Sequence, residues 1–82
     1  MEKNKFIITF FTQYGALGYS KLLKSEGMEN ITRPVPRDLS SSCGICVELE
    51  TDRDILQYQT EDVESIVQLG ETGYKILFKN QE

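Results

Sequence analysis

The first 27 residues switch from one hydrophobic period to another, and that switch limits the folds open to this chain. "KFIITFF", Lys5 to Phe11, is dense in β-branched and aromatic residues and reads as a strand buried on at least one face. Thr12 is suited to cap a helix. From Gln13 to Glu26, Ala16, Leu17, Ser20 and Leu23 recur at helical spacing, Lys21 and Lys24 fall outside the stripe, and Gly27 stands where a helix stops. The chain therefore opens with a β–α unit that must bury its apolar stripe on a sheet.

"ITRPVP", Ile31 to Pro36, is held extended by its prolines, which place it at a sheet edge. The loop "RDLSSSCG" follows. "GICVELE" then alternates, with Ile45, Val47 and Leu49 on one face and Cys46, Glu48 and Glu50 on the other, wetter face. Asp52 to Gln59 reads as an irregular turn that tucks Ile55, Leu56 and Tyr58 against the core. Thr60 can cap a second helix with the stripe Val63, Ile66 and Val67 and a stop at Gly70, before "YKILFK" supplies a last strand.

The resulting order βαββαβ is the split pattern of an α+β ferredoxin-like sandwich, a four-stranded antiparallel sheet with two helices on one face. A strand order of 4-1-3-2 puts the proline-bearing strand at an edge. It leaves the other sheet face open, lined by Ile7, Thr9, Phe11, Cys46, Glu48 and Leu77, and an apolar open face invites a second copy of the chain. With 82 residues and no repeat or linker, the sequence reads as one domain, 1–82, near the small end of what buries a useful core, so a homodimer is expected.

Charge removes some partners. Nine basic and thirteen acidic residues give a net charge of −4, and the cations are scattered, so nucleic acid has no electrostatic footprint to bind. The apolar run at the N-terminus is too short for a signal-peptide core or a membrane span, which points to the cytoplasm.

Chemistry concentrates in "VPRDLSSSCGICVELE". Both cysteines lie here, three residues apart. In the expected topology the loop of Cys43 sits where the first helix begins, near the free N–H groups of Gln13 to Gly15, which favour a thiolate. Arg37 adds a cation, Ser40, Ser41 and Ser42 add hydroxyls and backbone donors, and Gly44 lets the backbone turn or approach a ligand. The loop is built like a small anion or sulfur cradle; equally, it is a polar connection in which Cys43 happens to sit.

A disulfide between the two is disfavoured. Along a strand their Cα atoms would be ~10 Å apart, beyond the ~7 Å a disulfide bridges, and their side chains would face opposite ways. A dithiol of the thioredoxin kind opens a helix, whereas strand formers follow here, so only a sharp bend at Gly44 would bring the pair together. A closed zinc site needs four ligands, and the chain offers two thiols and no histidine, which leaves only a four-thiolate site shared across a dimer. No carboxylate pair suggests hydrolysis, and Glu48 reads as a solvated charge. No metal or cofactor is expected.

The strand "FIITFF", the helix end "KLLKSEG" and the motif "PRDLSSSCG", in that order, resemble the bacterial selenium/sulfur carrier-like family over Lys5 to about Leu49. Past Leu49 the likeness thins, because Asp52 to Gln59 is a longer passage, and Cys46 also departs from the pattern. Members of that family stand alone or joined to TusA-like sulfur-relay domains. The resemblance implies a persulfide or selenide held on Cys43, with Arg37 and Ser40 to Ser42 stabilising the anion and Gly44 giving access. It implies as partners a sulfur or selenium donor, such as a cysteine desulfurase, and an acceptor. Cys46 is then a possible resolving thiol. The competing reading is a docking or dimerising domain with structural cysteines.

Overall fold

The computed structural model describes residues 3–39 and 41–80. Strand β1 (Asn4–Phe10) leads into helix α1 (Gln13–Ser25), followed by β2 (Ile31–Pro34), β3 (Ile45–Thr51), a short 3-10 turn (Ile55–Tyr58), β4 (Val63–Gly70) and β5 (Gly73–Lys79). The α+β class is as expected, but there is one helix and not two, and the sheet has five strands in the order β2-β3-β1-β4-β5. All four pairings are antiparallel.

The expected second helix is β4. Val63, Ile66 and Val67 do stand at helical spacing, but a break in register between Thr9 and Phe10 of β1 makes Glu64 an extra residue in β4, since Thr9 pairs with Ser65 and Phe10 with Val63. Such a bulge turns the strand's period of two into a local spacing of three. Val63 and Ile66 therefore both join the helix-side core, while Val67 is buried outside that cluster. Gly70 is the end of a strand, paired with Gly73 across the two-residue connection Glu71–Thr72. Inserting β4 beside β1 pushes the last strand out to the edge and leaves the expected β1-β3-β2 side intact.

The first β–α unit forms as its residues dictate. Thr12 caps α1, its Oγ1 accepting the Gly15 N–H at 2.9 Å, and Gly27 at φ +81° lets the chain leave the helix. Ala16, Tyr19, Ser20 and Leu23 are buried on the helix; Leu17, expected in that stripe, is 52% exposed, and Tyr19 takes its place against Phe10. The helix covers Phe6, Ile8, Phe10, Val47, Leu49, Val63 and Ile66. In the 3-10 turn Ile55 is buried and Tyr58 packs on the same core, whereas Leu56 stays exposed.

The other face is not open. Ile7, Thr9, Cys46 and Val67 are each no more than 2% exposed within a single chain, and Glu48 is 8% exposed. Leu77, expected on this face, packs with Phe78 against the helix-side core, because a second bulge sets Ile66 opposite Phe78 but Val67 opposite Ile76. Phe11, also expected there, lies beyond the end of β1 and is half-buried. Ile7 is already covered within one chain, so this face offers no bare apolar surface at Ile7 for a second copy.

Candidate functional site

The cover comes from the segment between β2 and β3. The Val35 N–H bonds the Gly44 carbonyl at 3.1 Å, closing the neck of the loop, and a tight turn sets the Leu39 N–H 3.0 Å from the Pro36 carbonyl. Asp38 and Leu39 line a cavity of about 170 Å³ with Glu64, Ser65, Val67, Ile76 and Lys79. The loop thus leaves the sheet at one edge, crosses the face to β4 and β5, and returns to start β3. Val35, Pro36 and Leu39 of this loop are half-buried, and Leu39 shares the cavity with Val67.

The returning limb carries Cys43 and is tied to three elements. Ser41 Oγ donates to the Phe10 carbonyl at the end of β1 at 3.1 Å, and Gln13 Nε2 on α1 donates to the Cys43 carbonyl at 3.4 Å. On β4, the Glu64 carboxylate accepts from the Ser42 N–H at 3.0 Å and from Ser42 Oγ at 2.9 Å. Gly44 sits at φ +78°, a left-handed backbone that a side chain would strain, and this is where the chain bends into β3. Cys43 therefore lies in the loop before β3 and beside the start of α1, as the sequence implies.

The Cys43 thiol is half-buried against the helix-side core, 3.3 Å from the Ile45 carbonyl, to which it can donate, and 3.8 Å from Ser41 Oγ. The expected cradle is only partly assembled around it. Ser41 is adjacent, but its hydroxyl hydrogen goes to the Phe10 carbonyl, and both Ser42 donors are spent on Glu64. One of the helix donors, the Gly15 N–H, is taken by Thr12. Arg37 is exposed and forms no hydrogen bond or ion pair among the described residues. Ser40 lies outside the described residues.

Cys46 has a different environment from the one its alternation implied. It is fully buried, paired in register with Arg33 and Thr9, and its Sγ is 3.9 Å from the Pro34 carbonyl. Burial, reinforced by the negative charge of Glu48, pushes its thiol up to about 11. Glu48 is not a solvated charge either. Lys5 Nζ at 2.7 Å and Arg33 Nη1 at 2.8 Å hold its two oxygens. Burial alone would push the Glu48 carboxyl up; the hydrogen bonds and charges of Lys5 and Arg33 outweigh it and leave the group below its ordinary value. Both cysteines are free, and they address opposite faces of the sheet.

Glu64 is the participant that sequence reasoning missed. It is 22 residues from Ser42 and lay within a segment whose spacing imitated a helix. An acidic residue at a break in the alternation was the signal available.

A family model described as "Putative Se/S carrier protein-like" matches residues 5–76, running through the Asp52 to Gln59 passage where the resemblance had thinned. No curated protein and no solved structure matches the chain. A match that begins in the first strand and ends in the last makes this chain a member of the selenium/sulfur carrier-like family.

Proposed function

We propose that residues 1–82 form one carrier domain that holds sulfur or selenium on Cys43 between a donor and an acceptor protein. The observation that carries the reading is the contrast between the two thiols. Cys43 is partly exposed on a loop fastened to β1, α1 and β4, whereas Cys46 is sealed and held as a thiol by its surroundings. A carrier needs one accessible sulfur in a defined place, and the family supplies the cargo.

Loading is a trans-persulfidation. The Cys43 thiolate attacks the outer sulfur of a donor persulfide, a new S–S bond forms on Cys43, the donor's S–S bond breaks, and the donor leaves as a thiolate. No electrons are gained or lost overall. Unloading is the same exchange, with an acceptor thiolate attacking the outer sulfur. For selenium the bound species is the corresponding S–Se anion. Ser40 and the exposed Arg37 on the same loop would stabilise the charged outer atom, Ser41 would join them only by turning its hydroxyl away from the Phe10 carbonyl, and Gly44 leaves the approach free of a side chain. A cysteine desulfurase suits the donor role and a TusA-like protein the acceptor role. Resolution by Cys46 would require the covering loop to lift, so Cys46 is assigned to packing.

Among the described residues no helix is long and apolar enough to cross a membrane. Free thiols persist in a reducing compartment, and we place the carrier in the cytoplasm.

The test is intact mass and peptide mapping of the parent, Cys43→Ser and Cys46→Ser after treatment with glutathione persulfide. The parent and Cys46→Ser are expected to gain a sulfur atom on Cys43, and Cys43→Ser to gain none. An adduct on Cys46, or equal loading of Cys43→Ser, would refute the assignment.

A further inference from the structure

We propose that Glu64 is a positioning residue for Cys43, holding the returning limb of the loop in the pose from which sulfur is accepted; the proposal rests on the carrier reading above. Two independent features of the fold converge on it. First, Glu64 is the extra residue of the β1–β4 bulge, a device that re-aims a side chain and here frees the carboxylate from the regular alternation of the strand. Its own carbonyl is anchored by the Asn80 N–H at 2.8 Å, so the bulge is pinned from the β5 side. Secondly, the carboxylate takes both donors of Ser42, the residue before Cys43, at 3.0 and 2.9 Å.

The other ties of the limb are a neutral hydroxyl on the Phe10 carbonyl, an amide bond to the Cys43 carbonyl at the long distance of 3.4 Å, and the Val35 N–H on the Gly44 carbonyl at the neck. Hydrogen bonds to an ionised acceptor are roughly twice as strong as neutral ones, and a bidentate pair also fixes direction. Without Glu64 the stretch from Ser41 to Gly44 keeps only neutral ties, none of them on Ser42 among the described residues, and the sulfur is less closely held. Nucleophilic exchange at sulfur depends on approach geometry, and a misplacement of about 1 Å can cost on the order of 10²-fold in rate.

The experiment compares the parent, Glu64→Ala, Glu64→Gln, Ser42→Ala and the Ser42→Ala/Glu64→Ala double variant. Three rates are read: sulfur uptake from glutathione persulfide, alkylation of each cysteine by iodoacetamide, and amide exchange at Ser42. Glu64→Ala is expected to slow uptake about tenfold or more and to speed exchange of the Ser42 amide, while Cys43 is still alkylated at least as fast as in the parent. Glu64→Gln, which keeps one carbonyl acceptor, is expected to fall between. The double variant should be no slower than Glu64→Ala, because the carboxylate acts through Ser42.

Alkylation of buried Cys46 reports the fold. If Glu64→Ala exposes Cys46, the effect is loss of structure, and the positioning role is overturned. If the parent loads and Glu64→Ala loads at the same rate, the role is overturned and the carrier reading stands. If the parent takes up no sulfur, both fall together.

Discussion

Helix α1 contains two glycines three residues apart whose substitution by alanine should act in opposite directions. A Cβ on Gly18 would meet nothing within 4 Å. A Cβ on Gly15 would lie 2.5 Å from Asp62 Cβ and 2.8 Å from Asp62 Cγ, well inside the ~3.5–4.0 Å at which carbon atoms pack. Asp62 cannot easily retreat, because its carbonyl accepts the Phe11 N–H at 3.1 Å and its Cβ moves with the backbone. Replacing a helical glycine by alanine stabilises by about 0.5–1 kcal/mol, mostly by restricting the unfolded chain. Gly18→Ala receives that gain whole. For a domain of this size it should raise the melting temperature by roughly 2–8 °C. Gly15→Ala receives at most the same gain and must accommodate an overpacked contact costing about 1–3 kcal/mol. The two variants should therefore differ by about 1–3 kcal/mol, with Gly15→Ala the less stable. Urea and thermal unfolding followed by circular dichroism measure the difference. Equal stabilities would mean that α1 does not sit against Asp62 as described, and the placement of the helix start beside Cys43 would need revision.

Cys46→Ser should destabilise the fold by about 1–3 kcal/mol, since the hydroxyl replaces a sulfur 3.9 Å from its acceptor, the Pro34 carbonyl, and would be buried beyond reach of it; unfolding midpoints measure this, and sulfur uptake on Cys43 should survive. The Glu48 carboxyl titrates in the folded chain below its ordinary value of 4.5, so its contribution to stability is present above that value and is lost as the pH falls through the depressed folded value. In Lys5→Met/Arg33→Met the same carboxyl is left buried without its cations, its folded value rises above the unfolded one, and acidification through that window should stabilise relative to neutral pH; unfolding curves from pH 7 to 3 that keep the parental slope would contradict the ion-pair assignment.

The candidate site was half legible. The motif "PRDLSSSCG" and the passage from strand to capped helix locate Cys43 beside Gln13, because both depend on local chemistry: Thr12 caps, Gly44 turns, and the prolines hold β2 at an edge. The partner of Ser42 was not legible. Glu64 belongs to a strand brought beside the loop by sheet order alone, and its bulge disguised that strand as a helix.

The sequence by itself determined the β–α opening, the edge position of the proline strand, the faces of β3 and the loop that carries Cys43. Each of these follows from hydrophobic period, capping and backbone restriction acting over a few residues. Tertiary structure alone decided that the Val63 to Gly70 stretch is a strand, that the loop folds back over the far face, and that Cys46 and Glu48, alternating outward as if to water, end up buried. Periodicity says which side chains share a face. What covers that face depends on a segment that crosses to strands remote in sequence, and the apolar surface of Ile7 and Val67, not any local preference of Val35 to Leu39, draws it there.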